Sequence, residues 1–102
     1  MEKNMESESP TRTQVKEIKK TCEACPSQWD GKSVDGERVY IRYRWGYLAV
    51  YLGEEFEKQI FGAQLGGDWH GVLETTTMMR FTSTVLDWTG CQMDEKFVVA
   101  NM

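Results

Sequence analysis

The stretch YIRYRWGYLAVYLG, residues 40 to 53, alternates apolar side chains with tyrosines and arginines on either side of a Trp-Gly pair. If Trp45 and Gly46 form a two-residue turn, Arg44 lies opposite Tyr47 and the two arms pair outward as an antiparallel hairpin. A shift of one residue would carry the arginines to the core side of the sheet. The pattern therefore predicts one register.

In this register the hairpin has two faces of different chemistry, because successive side chains of a strand point to opposite sides. The apolar face is predicted to pack on the core and consists of Val39, Ile41, Tyr43, Leu48, Val50 and Leu52. The opposite face, which we call the Tyr/Arg face, consists of Tyr40, Arg42, Arg44, Tyr47, Ala49 and Tyr51. The hairpin thus predicts both a core surface and a candidate binding surface.

Strand signals flank the hairpin on both sides. Upstream, Asp35-Gly36 is a second turn signal that joins SQWDGKS to the hairpin. Downstream, KQIFGAQLG predicts a further strand, and the more distant QVKEIKKTC fits either a helix or a strand protected by lysines. We favour the strand, so the sequence predicts an antiparallel meander of four or five strands.

The length of the Asp35-Gly36 turn decides where Trp29 lies. A two-residue loop places Trp29 beside Arg42 on the Tyr/Arg face. A loop one residue longer, with Gly36 as a bulge, turns Trp29 toward the core. The sequence leaves both open, and we include Trp29 among the candidate binding residues.

The stretch TTTMMRFTSTVLDWTG predicts the main helix. Its apolar residues recur at helical spacing, and Gly90 stands where a helix usually ends. The predicted helix spans about residues 76 to 88 and packs Phe81 and Trp88 on the sheet, with KFVVA as a last strand. The fold class is therefore α+β, one helix on an antiparallel sheet.

Length and composition define the organisation of the chain. With 102 residues, the chain is predicted to be a single domain over residues 14–102, preceded by a flexible tail over residues 1–13 that has no apolar periodicity. No apolar run reaches the roughly 18 residues of a membrane span, and the N-terminus has no secretory signal. These features predict a cytoplasmic protein with no membrane partner.

The sequence offers weak candidates for chemistry. Cys22, Cys25, His70 and Cys91 could supply a zinc site, but structural zinc sites usually bring a second close ligand pair, and His70 and Cys91 are far apart in the sequence. The glycine-rich segment around His70, the single histidine, has no oxyanion-hole signature. We therefore predict no metal, no cofactor and no catalytic residues, hence a protein that is not an enzyme.

The Tyr/Arg face carries the functional prediction. Tyrosine and arginine dominate binding hot spots, so Tyr40, Arg42, Arg44, Tyr47 and Tyr51 predict a small interaction protein whose partner is another protein. A binder of single-stranded nucleic acid or a small anion through the same face is the first alternative, and the net charge of −4 disfavours it. A small zinc-stabilised domain is the second. Cross-strand pairs of this kind also stabilise a hairpin without any ligand.

The run CPSQWDG followed by DGERVYIRYRWG, within residues 25 to 46, resembles a pattern in small uncharacterised proteins of bacterial and phage genomes. The resemblance implies that Trp29 and Gly46 belong to one local unit together with the Tyr40 strand and its arginines. It also implies a phage or prophage source, and no activity comes with it. The small size of the chain, the lack of a catalytic constellation and the aromatic surface favour a modulator or inhibitor that docks through its sheet. In that pattern a single cysteine precedes the Pro-x-Gln-Trp run, so Cys22 is a departure that weakens the zinc hypothesis.

Overall fold

A computed structural model of the chain describes residues 12–23, 27–67 and 71–94. These residues form one curled, half-barrel sheet and a short helix. In chain order the elements are β1 (Thr13–Cys22), β2 (Ser27–Ser33), β3 (Arg38–Arg44), β4 (Tyr47–Leu52), β5 (Lys58–Gln64), α1 (Thr75–Thr82), β6 (Leu86–Asp87) and β7 (Gln92–Asp94). The combination of sheet and helix agrees with the predicted α+β class.

The first five strands form an antiparallel meander in the order β5-β4-β3-β2-β1. The last two strands pair with the other side of β1, and both run parallel to it. The sheet is therefore larger than predicted, and it is mixed rather than purely antiparallel. The difference arises because the chain returns after α1 to the open side of β1 and runs in the same direction.

The register of the β3–β4 hairpin is the predicted one. Arg44 lies opposite Tyr47, and Val39 lies opposite Leu52 at the far end. Trp45 and Gly46 between the strands both have positive φ, 54° and 76°. Positive φ at both central residues is typical of the type I′ turn, whose twist matches that of the flanking strands.

The loop between β2 and β3 is the longer of the two alternatives. Trp29 lies opposite Ile41, which leaves residues 34–36 as a three-residue loop with Gly36 at a φ of 88°. The Ser33 hydroxyl accepts hydrogen bonds from two backbone N–H groups of this turn, at 3.1 and 3.2 Å. Trp29 is consequently fully buried, and its prediction as a residue of the Tyr/Arg face is wrong.

Helix α1 is shorter than the predicted span of residues 76 to 88 and ends at Thr82. Met78 is buried, but Phe81 is 42% exposed and lies outside the core, so its predicted packing is wrong. The Thr82 hydroxyl donates a hydrogen bond to the Met78 carbonyl at 2.9 Å and accepts one from the Trp88 ring N–H at 3.1 Å. Trp88 thus packs against the core from the segment that follows the helix.

The core lies on the concave side of the sheet, against α1 and the segments beside it. Its buried apolar residues are Val15, Ile18, Trp29, Val39, Ile41, Tyr43, Leu48, Val50, Leu52, Met78 and Leu86. The Trp29 ring N–H donates to the Thr75 hydroxyl at 2.9 Å, which ties the sheet to the first turn of α1. Because this side of the sheet is filled, only the opposite side can present the Tyr/Arg face to a partner.

Several predictions from the sequence fall at the ends of the described residues. Strand β1 begins at Thr13, one residue before the predicted domain boundary, while residues 1–11 of the predicted tail lie outside the described part of the chain. The predicted strand KFVVA also lies outside it. Among the described residues, no helix has both the length and the apolar character that crossing a membrane requires.

Candidate functional site

The Tyr/Arg face occupies the convex side of β3 and β4, near the middle of the sheet. The observed register places all six of its residues on this side, as predicted. Ala49 is only 2% exposed although it faces away from the core, because larger side chains on the same face surround it. Arg44 and Tyr47 are exposed, whereas Tyr40, Arg42 and Tyr51 are partly buried. The face is thus a surface of large side chains around a buried alanine.

One end of the face is an internally packed aromatic cluster. The Tyr40 ring stacks on Phe56 with centroids 4.5 Å apart and meets Tyr51 at 6.1 Å. The guanidinium of Arg38 lies 4.8 Å from the Phe56 ring and pairs with Asp30 at 2.8 Å. Burial raises the pKa of the Tyr40 hydroxyl above its ordinary value, with the Arg42 charge opposing it. This end is largely satisfied by contacts within the protein.

The other end of the face is cationic. Arg42 lies between Gln28 and Ala49 on the adjacent strands, and Arg44 lies opposite Tyr47, so their cross-strand neighbours are uncharged. Neither arginine forms an ion pair with any of the described residues. By contrast, Arg38, Lys20 and Lys58 each form an ion pair with a nearby carboxylate. This end therefore carries two positive charges that no carboxylate of the described residues neutralises.

The turn at the cationic end presents Trp45, which is 62% exposed. The Arg44 guanidinium stacks over its ring at 4.4 Å from the centroid. Trp45 was predicted only as a turn residue, so it was missed as a candidate for binding. The available signal was a bulky aromatic at a position where Asn, Asp or Gly is usual.

The zinc hypothesis meets a geometric obstacle. Gln92 of β7 lies beside Glu17 of β1, so Cys91 lies about six strand residues, or roughly 20 Å, from Cys22. Two sulfurs on one zinc ion lie within about 4 Å of each other. Cys22 and Cys91 therefore cannot bind the same ion in this fold. Cys25 and His70 lie outside the described residues.

No group of three or more potential metal ligands occurs among the described side chains. Burial raises the pKa of the Cys91 thiol, and the nearby Glu17 charge raises it further. A raised pKa keeps the thiol protonated and poorly nucleophilic at neutral pH. Among the described residues, Cys91 accordingly has neither the partners of a metal ligand nor the environment of a catalytic thiol.

A groove of about 570 Å³ lies over β1, β2 and β7, on the same side of the sheet as the Tyr/Arg face. Its charged lining residues are Glu17, Lys19, Asp30, Lys32 and Arg38. Asp30 is already bound to Arg38, and the opposite charges face one another across neighbouring strands. This balance of charge gives the groove no evident preference for one ligand, unlike the cationic end of the Tyr/Arg face.

No protein-family model matches this chain, and no curated protein or solved structure matches it either. The function is therefore inferred from the geometry of the molecule. That geometry defines a small, sheet-rich protein with one short helix, whose most distinctive described surface is an aromatic and cationic face. The resemblance to small phage and bacterial proteins stays a prediction.

Proposed function

We propose that this protein is a non-enzymatic interaction protein that binds an acidic surface of a partner protein through the Tyr/Arg face. The observation that supports the proposal is the position of Arg42 and Arg44, which share a face with three tyrosines and form no ion pair with the described residues. Tyrosine and arginine are enriched at interface hot spots, and a positive strip favours an acidic partner.

The alternative that this face only stabilises the hairpin accounts for part of it. The contacts of Tyr40 with Tyr51 and Phe56 are cross-strand and local interactions that contribute to folding by themselves. They do not account for Arg42 and Arg44, whose guanidinium groups have no described carboxylate partner. The proposed binding centre is therefore the cationic end, where Arg42, Arg44 and Tyr47 lie together.

Two observations favour a protein partner over single-stranded nucleic acid. The rings of Tyr40, Tyr51 and Phe56 contact one another, which leaves fewer free ring faces on which bases could stack. The net charge of −4 also opposes long-range attraction of a polyanion. We extend the proposal to a modulator or inhibitor, encoded by a phage or prophage, that acts by occupying its partner's surface.

The test begins with affinity capture from a lysate of the native host, followed by purification of the captured protein and calorimetric titration. The variant Arg42→Ala/Tyr51→Ala removes an arginine and an aromatic ring from the face. The variant Arg80→Ala/Phe81→Ala is its matched control, since it removes the same two kinds of side chain from exposed positions of α1.

The face variant is expected to bind at least about tenfold more weakly than the wild type, whereas the control variant binds normally. Circular dichroism should show that both variants are folded, because each cross-strand pair contributes under about 1 kcal/mol. Wild-type affinity in the folded face variant would overturn the proposal.

Salt dependence distinguishes the nucleic-acid alternative. Binding of an oligothymidine strand is measured by fluorescence anisotropy at about 50 and 200 mM salt, a range over which nucleic-acid affinity falls steeply. We expect no binding above background and only a modest effect of salt on the protein complex. Tight, salt-sensitive and Arg42-dependent binding of the strand would replace the protein partner with a nucleic acid.

A further inference from the structure

We infer that Trp45 is the anchor of the Tyr/Arg face, against whose ring an apolar side chain of the partner packs while a neighbouring carboxylate of the same acidic segment binds Arg44. The inference rests on the proposed function and adds to it a residue outside the face itself, together with the local chemistry of the partner. It is carried by the strain, the exposure and the fixed position of the Trp45 turn.

The backbone of Trp45 is strained and the folded chain gains little packing from its side chain. Its φ of 54° lies in the left-handed region, which bulky residues rarely adopt. The other described non-glycine residue with positive φ is Phe56, and its ring is packed between Tyr40 and Arg38. The Trp45 ring is 62% exposed and has Arg44 as its described ring partner. Strain without compensating burial is a feature of functional positions.

The turn is held in place by the segment that follows β5. The Gln64 side-chain amide donates to the Trp45 carbonyl at 2.9 Å, and the Leu65 and Gly66 N–H groups donate to the Gly46 carbonyl at 2.7 and 3.1 Å. Gly46 is buried so closely against Gly66 that an added Cβ would overlap the Gly66 carbonyl. The ring is therefore presented from a fixed base, which lowers the entropy lost on binding.

The charges around the ring select the partner chemistry. Arg44 stacks on Trp45 at 4.4 Å, and Arg42 lies two residues along the same strand face. Neither arginine has an ion pair among the described residues, so a carboxylate of the partner could form a charge-assisted hydrogen bond with either of them. The exposed remainder of the indole ring offers an apolar surface on which a side chain of the partner can pack. An acidic segment with an adjacent apolar residue supplies both groups.

The probe is a phage-displayed library of random peptides selected on the immobilised wild-type protein. Selected peptides are expected to carry aspartate or glutamate beside an apolar residue. Their affinities are then measured by fluorescence anisotropy for the wild type, Trp45→Asn, Phe81→Ala and Arg42→Ala/Tyr51→Ala. Phe81→Ala is the control, since it also removes an exposed aromatic ring but from α1.

Trp45→Asn creates Asn-Gly, a preferred pair for a type I′ turn, so the variant should fold and melt a few degrees higher than the wild type. It should nevertheless bind the peptides at least about tenfold more weakly. Phe81→Ala should bind them normally. A residue kept only for stability would give the opposite result, a lower melting temperature with unchanged binding.

The outcomes separate this inference from the proposed function. Normal peptide binding by Trp45→Asn together with weakened binding by Arg42→Ala/Tyr51→Ala overturns the role of Trp45 and leaves the proposed function standing. Normal binding by both variants, or a library that yields no ligand, overturns both. Selection of neutral or basic peptides overturns the acidic segment as the partner.

Discussion

Trp29 stabilises the core side of the sheet, and Gly46 allows the tight turn between β3 and β4. Trp29 fills the core opposite Ile41 and donates a hydrogen bond to Thr75, so one ring joins the sheet to the helix. Gly46 allows the β3–β4 turn to lie against the Gly66 carbonyl. Both residues act through contacts that a larger or smaller side chain cannot reproduce.

Trp29→Phe should lower the free energy of unfolding by about 1 to 3 kcal/mol, because the smaller ring leaves a cavity and the Thr75 hydroxyl loses its donor. Urea denaturation followed by circular dichroism measures the change. Trp45→Phe is the control and should be close to neutral, since that ring is largely exposed. An unchanged urea midpoint for Trp29→Phe would contradict the role of this ring in the core.

Gly46→Ala should destabilise the protein much more than Gly36→Ala. Both glycines have positive φ, 76° and 88°, so each substitution carries the conformational cost of roughly 1 kcal/mol. An added Cβ at Gly36 meets nothing within 4 Å, whereas at Gly46 it overlaps Gly66, which should add about 2 kcal/mol or more. Thermal melts of the two variants compare them directly, and equal losses would show that the turn can move away from Gly66.

At the scale of the elements, the hairpin could be predicted because strict alternation with two arginines leaves one register that keeps charge out of the core. The length of the loop of residues 34–36 could not be predicted, because hydrogen bonds to the Ser33 hydroxyl stabilise it and no sequence pattern indicates them. The helix was predicted too long because Val85 and Trp88 continue the helical spacing of apolar residues in the sequence, although the helix ends at Thr82. Strands β6 and β7 are too short for any periodicity to indicate them.

Most of the candidate site could likewise be predicted from the sequence. The five hairpin residues share a face because the register fixes it, so they could be found from the sequence. Trp29 was misplaced by the length of one loop, and a single inserted residue reverses which side of the sheet a strand presents. Trp45 was missed because the turn was interpreted only for the register that it sets, although a bulky aromatic at that position is unusual.

The turn after β6 should make the stability of the protein depend on pH in the acid range. The Asp87 carboxylate accepts a hydrogen bond from the Thr89 N–H at 3.0 Å, which lowers the pKa of Asp87 below its ordinary 3.8. Because the folded pKa is below the unfolded one, the stabilisation is present above the unfolded pKa and is lost as the pH falls through the folded pKa. Melting temperatures measured from about pH 5 to 2 should fall less steeply for Asp87→Asn than for the wild type. Parallel curves would show that another carboxylate dominates.

At the scale of the whole molecule, the sheet combines two kinds of connection. The meander from β1 to β5 pairs neighbours in the sequence, whereas β6 and β7 reach β1 only after the helix and pair over two and three residues. Central strands that pair on both sides exchange their amide hydrogens most slowly. The molecule should therefore open first where the last two strands join β1.

Hydrogen–deuterium exchange with mass spectrometry can measure this order. Peptides from β3 and β4 should be the most protected, while peptides covering β6 and β7 should exchange earlier under native conditions. Trp29→Phe should speed exchange throughout, because it destabilises the core as a whole. Equal protection of β4 and β7 in the wild type would mean that the sheet opens in one cooperative step.

The open loop of residues 34–36 offers a practical handle on the protein. It lies at the end of β3 opposite the Trp45 turn, and the seven residues of β3 separate the two ends by about 20 Å. A Cβ added at Gly36 would meet nothing within 4 Å, so the loop has room for a short biotin-acceptor peptide inserted between Asp35 and Gly36. A sensor chip loaded through that tag would hold every molecule in one orientation, with the tryptophan directed into the analyte stream.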